Sequence, residues 1–267
     1  MSTKTAERSV TDGLTRYKTY LTQVSAVADV HDHLRRITFA GGDLVDFAPV
    51  GPDMFCYLLL PPPGQTELTI DQQFSWEACI EMPEATRPVG GYYTVREWRS
   101  ASHELDVLAV LHDHAGPASS WVARAQPGDP VALWGPRTTW QPPADTDRYL
   151  LVADETGLPA AAVIIESLPA GTPIRLVAQV VDETTHQDLA VTPTTEVTWL
   201  HHRDAPTAER VAQLREAVIG QVWSEGTTYV WGGGESRGLT MVRRYVRDEV
   251  GLPAEAVELV AYWRAEA

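Results

Sequence analysis

From Tyr17 to about Val110 the apolar residues come in short bursts divided by turn formers. The bursts are "YLTQVSAV", "LRRITFA", "MFCYLLL", "YYTVREW" and "LDVLAVLH", and between them stand "AGGD", "PPPG" and "MPEATRPVGG". Short runs rich in β-branched and aromatic residues, each bounded by Gly and Pro, predict strands, and five in succession at this spacing predict an antiparallel barrel. Pro61, Pro62 and Pro63 cannot supply ladder donors, so they mark an exposed connection.

After Arg148 the rhythm changes. "RYLLVAD" predicts a buried strand, "LPAAAVIIESL" a helix with proline in its first turn, "IRLVAQVV" and "VTWL" two further strands. "TAERVAQLREAVIGQV" has helical spacing, "TTYVWGG" is a strand running into glycines, "SRGLTMVRRYVRDEVG" a helix closed by Gly251, and "VELVAYW" a last strand. Such alternation predicts a parallel sheet with helices on its faces. The seam is "PRTTWQPPADTDR", Pro136 to Arg148, whose prolines and polar residues suit a linker. The expected division is a loose segment 1–16, a barrel 17–143 and an α/β domain 144–267.

Length agrees with two domains, since 267 residues exceed one small core. No apolar run approaches the roughly 18 residues needed to span a bilayer, and Lys4 and Arg8 precede only polar residues, so no membrane insertion is expected and a cytoplasmic, monomeric protein is. A formal charge of −15 argues against nucleic acid and anionic lipid, which demand clustered Lys and Arg. An anionic ligand must therefore meet a local basic patch or backbone amides. Cys56 and Cys79 stand far apart, which predicts two buried free thiols and neither a disulfide nor a metal site.

Three segments could carry chemistry. In "HDHAGPASSW", Gly116 turns the chain, Pro117 and Ala118 open a helix expected over Ala118 to Ala125, and Ser119 adds a hydroxyl to the free first-turn amides, a combination suited to a pyrophosphate or to ordinary capping. His112 and His114 fall on opposite faces if the strand continues, which disfavours a metal pair. "YVWGGGES" allows close backbone approach to a phosphate or ring, although it lacks G-x-G-x-x-G spacing and serves equally as a tight turn. "VADETGLPA" puts Asp154, Glu155 and Thr156 at the carboxyl end of the first parallel strand, where open sheets bind ligands and where acids also cap helices. No G-x-S-x-G, Walker loop or H-E-x-x-H is present, so hydrolase readings have little support.

The order and spacing of "YYTVR", "HDHAGPASSW", "ADETGLP", "YVWGGGES" and "AYWR" across residues 17 to 264 resemble the siderophore-interacting protein family, ferric-siderophore reductases of the ferredoxin-reductase superfamily. The resemblance implies a flavin-binding, ferredoxin-reductase-like antiparallel β-barrel carrying FAD, followed by an α/β domain that takes a nicotinamide nucleotide. Tyr93 and Thr94 would act at the flavin, the tyrosine along ring or ribitol and the threonine near N5, with Tyr92, Val95 and Arg96 flanking them. Gly116, Pro117, Ala118 and Ser119 would hold the pyrophosphate beside His112. Asp154, Glu155 and Thr156 match the nicotinamide-side motif, Trp231, Gly234 and Glu235 the second-domain motif, and Tyr262 and Trp263 the closing aromatics.

Two departures qualify what the resemblance implies. Its motif R-x-Y-T has Gly91 here in place of the arginine that pairs with the FAD phosphates, leaving Arg96, Arg99 or Arg137 to replace it, or amides alone. Basic residues near the chain end are also few. Arg35, Arg99, Arg203 and Arg264, with Arg36 and Arg96, are the candidates for meeting an anionic substrate. The expected activity is electron transfer from NAD(P)H through FAD to a ferric siderophore or similar Fe(III) chelate, releasing Fe(II). The altered flavin motif also suits a redox-neutral step, such as a cyclisation in secondary-metabolite biosynthesis, or a binding module that carries a chelate unreduced.

Overall fold

A computed structural model describes residues 17–111, 116–203, 205–221 and 225–265. Six strands form the first domain: β1 Lys18–His31, β2 Leu34–Ala40, β3 Phe55–Leu60, β4 Val89–Arg99, β5 Glu104–Val110 and β6 Pro130–Arg137. They close into an antiparallel barrel in the order β1-β2-β5-β4-β3-β6. Alternate residues point inward, and Val24, Ile37, Phe39, Leu58, Val95, Val107 and Leu133 fill the interior. A short helix, α1 (Trp76–Glu81), lies in the β3–β4 excursion, and α2 (Pro117–Arg124) plugs the barrel with Trp121 and Val122.

The second domain is a five-stranded sheet built from β7 Arg148–Asp154, β8 Ile174–Val180, β9 Thr195–His201, β10 Thr228–Glu235 and β11 Val257–Trp263. Every pair is parallel, in the order β11-β10-β7-β8-β9. Helix α3 (Leu158–Ser167) covers one face, and α4 (Thr207–Val218) and α5 (Ser236–Arg244) the other. Strand order reverses between β7 and β10, so a crevice opens at their carboxyl ends. After α5 the chain makes a π turn, Tyr245–Glu249, before Gly251, whose φ of 84° ends it. No described helix is long and apolar enough to cross a membrane.

Strand β6 was not among the strands read from the sequence, and only its last two residues fall in the seam that begins at Pro136. Pro130 sits at its first position and Pro136 near its last, where prolines are tolerated, and between them "VALWG" pairs with both β1 and β3 to close the barrel. The seam beyond is tied down at both ends. Buried Asp53 accepts hydrogen bonds from the Thr138 hydroxyl, from the Thr139 amide at 3.1 Å and hydroxyl at 2.6 Å, and from the Trp231 indole at 3.3 Å. Trp140 stacks on Tyr149 with ring centres 5.5 Å apart. The barrel meets the sheet domain again where α3 packs on β4 and Arg96 grips Glu166 through two bonds of 2.6 and 3.0 Å. Both cysteines are free and buried.

Candidate functional site

Strand β4 carries the barrel's share of the site. Gly90 is demanded by packing, because a Cβ there would lie 1.8 Å from the Leu58 carbonyl oxygen. Gly91 has room: its Cβ would meet the Tyr93 ring at 3.5 Å and the Ala118 methyl at 3.9 Å, so position 91 looks onto the first turn of α2. That turn begins at Gly116, has proline at its start and receives no side-chain cap, and the space around Gly116 is open. Pro117 has no N–H and the Ser120 amide goes to the Gly116 carbonyl at 2.9 Å, so the Ala118 and Ser119 amides are the first-turn donors that a ligand at this end could meet. Tyr93 lies against the barrel core, where burial pushes its phenol up to about 12. Thr94 is buried with its hydroxyl making no well-formed hydrogen bond, although the Tyr262 phenol is near enough to interact with it.

The sheet's share is a knot around Asp154. Its Oδ1 accepts the Thr156 amide at 2.9 Å, the Thr156 hydroxyl at 2.6 Å and the Gly157 amide at 3.3 Å. Its Oδ2 accepts the Glu235 amide at 2.8 Å and the Trp263 indole at 2.7 Å. Burial, then the neighbouring charge of Glu155, raises its pKa to about 6 against the pull of those five donors. The glycines of β10 make the knot possible. A Cβ on Gly234 would come within 2.6 Å of the Asp154 carboxylate, and one on Gly233 within 3.0 Å of the Tyr262 ring. Glu155 in turn receives His202 at 2.9 Å, and the other ring nitrogen of His202 is buried without a partner. The crevice that remains among Asp154, Glu155, Gln179, His202 and Trp263 holds about 30 Å³, room for one water.

Several expected residues are placed differently from the sequence reading. Trp231 has no exposed surface and spends its indole N–H on Asp53, so it offers a ligand no face. Glu235 caps its own helix, accepting from the Arg237 and Gly238 amides at 2.6 and 3.0 Å, and Gly234 makes space for a protein carboxylate instead of a phosphate. Tyr92 is 52% exposed on the β4 face opposite Gly91 and Tyr93. Val95 is a barrel core residue. Arg35 binds Asp29 and two carbonyls at the end of α2, Arg99 is held by Glu97, Glu104 and Asp106, and Arg203 by Glu183. Arg264 is exposed at the end of β11. His112 lies outside the described residues.

Sequence reading missed Asp53 and His202. Asp53 lies in "VGPDM", with no spacing that marks an acid as an inter-domain acceptor, whereas the paired histidines of "LHHRD" closing a strand were a usable signal. None of the three arginines considered as replacements for the absent one reaches α2: Arg96 and Arg99 are ion-paired, and Arg137 contacts Tyr92 on the far face of β4.

These residues fit FAD. The open start of α2 would hold its diphosphate by amides, and the buried Thr94 hydroxyl, beside the Tyr262 phenol, suits the edge of a flavin ring. A nicotinamide dinucleotide fits less well: Asp154 already takes the amides of Thr156 and Gly157, and the Ala160 and Ala161 amides go to the Gly157 carbonyl. A phosphate would face carboxylates where it needs donors.

A family model described as siderophore-interacting FAD-binding domain matches residues 23–140, and one described as siderophore-interacting protein matches residues 146–266. A siderophore utilization protein from T. fusca is 30% identical, with a TM-score of 0.80 and 94% of each chain covered. Ferric vibriobactin reductase ViuB of Vibrio cholerae is 25% identical over 88% of this chain and 85% of its own. In fold alone, the ferredoxin reductase in carbazole 1,9a-dioxygenase gives a TM-score of 0.59 at 16% identity, over 92% of this chain and 69% of that one. An FAD-binding barrel, a parallel sheet behind it and matches along nearly the whole length place the chain in the siderophore-interacting protein family.

Proposed function

We propose that the protein is an FAD-dependent oxidoreductase that reduces a ferric siderophore or similar Fe(III) chelate. The observation that carries this reading is the uncapped start of α2, onto which Gly91 of β4 opens, in a barrel that matches an FAD-binding domain. Bound FAD supplies a carrier that holds two electrons and gives them up singly. The α2 amides would anchor its diphosphate, Tyr93 would lie along it, Thr94 would offer a hydrogen bond at the ring, and Tyr262 would close the crevice against water. Each Fe(III) would take one electron, so a two-electron carrier would serve two chelates. Fe(II) binds hard oxygen donors less tightly and leaves. No acid-base pair is required, which agrees with every carboxylate of the crevice being bound to protein donors.

At the β7–α3 turn, where NAD(P)H would reload the flavin, Asp154 holds the Thr156 and Gly157 amides. The test therefore bypasses NAD(P)H. Protein loaded with FAD and photoreduced anaerobically to the point of bleaching should regain its flavin absorption on adding a ferric chelate, with two Fe(II) trapped per flavin. Bleached protein that ignores the chelate would overturn the reading. Protein that takes up no FAD at all would favour the redox-neutral alternative, which the missing guanidinium at position 91 also suits.

A further inference from the structure

At the edge of the sheet formed by β9, the carboxyl ends of β8 and β9 bring two imidazoles together. His201 is the last residue of β9 and the ladder partner of Val180, and the pairing continues past it through bonds from the His202 and Arg203 amides to the Val180 and Val181 carbonyls. Beyond β8 the chain makes a single 3-10 turn, Glu183–Thr185, pinned by Asp182, whose Oδ1 accepts the Thr184 amide at 2.8 Å and hydroxyl at 2.6 Å. That turn delivers His186, whose ring lies on Trp199 with centres 3.9 Å apart and planes inclined by 13°. The Nε2 atoms of His186 and His201 then face each other at 2.8 Å. His202, next in the chain, turns instead to Glu155.

The two rings are set as a pair of ligands would be. Imidazoles that share one cation through metal–nitrogen bonds of about 2.0–2.1 Å place their nitrogens about 2.9 Å apart at a right angle and about 3.3 Å apart at the tetrahedral angle. The observed pair has only a few tenths of an ångström to open. His201 Nδ1 lies 3.4 Å from Glu183 Oε1, and Glu183 is held in turn by Arg203 at 3.1 Å. A carboxylate on that side favours the proton on Nδ1 and leaves the Nε2 lone pair for a metal, the outer arrangement that orients histidine ligands. The proton that now joins the rings can pass to His186 Nδ1. Both side chains are partly exposed, so a cation can enter. Among the described residues no third His, Cys, Asp or Glu joins them, and water completes the shell.

We propose that His186 and His201 form a two-histidine site for a borderline divalent transition cation, of the Zn(II) or Ni(II) kind, which ties the turn after β8 to the edge strand β9. A chain of charge −15 attracts any cation, so selectivity is what marks the site. Imidazole nitrogen favours these ions, whereas Mg(II) and Ca(II) prefer oxygen donors. The site is independent of the flavin and of the ferric-chelate reading.

The test is calorimetric titration of the full chain, stripped with EDTA, with Zn(II) in the presence of excess Mg(II). One equivalent of Zn(II) should bind and raise the melting temperature. Loss of a ligand should cost at least as much as loss of an outer partner, so His186→Gln and His201→Gln should each weaken binding by at least about tenfold. Melting curves in EDTA should show that both variants fold. If one does not, the parent alone still answers: heteronuclear imidazole spectra should show two Nε2 resonances moving as Zn(II) is added. Zn(II) binding that persists in both variants would place the cation on other histidines and overturn the proposal. So would suppression of binding by Mg(II), or Nε2 resonances that stay in place.

Discussion

At position 91 a glycine stands where the resemblance expects an arginine for the FAD phosphates. Gly91 adopts no left-handed conformation, and its Cβ direction is open toward Ala118 on the first turn of α2. An arginine there could reach the α2 start without displacing backbone. A charge-assisted phosphate bond contributes about 1.5–3 kcal/mol. Gly91→Arg should therefore tighten FAD binding roughly ten- to a hundredfold, measured by titrating apoprotein with FAD and following flavin fluorescence; an unchanged affinity would mean the diphosphate lies elsewhere. Residue-scale chemistry was legible only where type and position agreed. The resemblance put Trp231 beside the cofactor, and it is a core residue, because whether an indole faces a crevice or an aspartate depends on a loop from the other domain.

The element that governs the sheet's crevice is the turn from β7 into α3. Its sequence announces a ligand loop, yet the loop binds its own Asp154. Periodicity fixes where a strand stops and a helix starts, but not which acceptor takes the amides of the turn between them, and here Gly234 of β10 allows a protein carboxylate close enough to do so. The raised pKa of Asp154 has a definite consequence. Between about pH 4 and 6 the folded chain holds a proton that the unfolded chain has lost, so this group's contribution to stability falls as pH rises through that window and is constant above it. Asp154→Asn cannot titrate. Thermal melts from pH 4.5 to 6.5 should show the variant gaining on the parent as pH rises; a constant offset between the two curves would mean that Asp154 titrates as an ordinary carboxylate. Strand β6 teaches a related lesson: it was not among the strands read from the sequence, yet "VALWG", between prolines that stand only near its ends, closes the barrel.

At the scale of the whole molecule, two of the contacts that join barrel to sheet carry different weights. The Arg96–Glu166 pair is partly exposed, 23% and 36%, so its removal should cost at most about 1 kcal/mol. Asp53 is buried and serves Thr138, Thr139 and Trp231 together. Asp53→Ala should lower stability by roughly 3 kcal/mol, since it strands a buried indole N–H along with the threonine donors. Urea unfolding checks this, and a loss below about 1 kcal/mol would show that water takes over the aspartate's role. The two-domain architecture was readable from hydrophobic rhythm alone, but the joint between the halves was not, because it depends on a lone acid in a loop meeting a tryptophan 178 positions later.

The same joint bears on how the protein can be dissected. Severed at the proline-rich seam, the barrel half would retain Asp53 but lose the indole it serves, and the sheet half would lay bare Tyr149 and Tyr229 where Trp140 now covers them. Neither fragment should be soluble when expressed by itself, and a recombinant flavodomain should extend past Trp140 or be produced together with its other half.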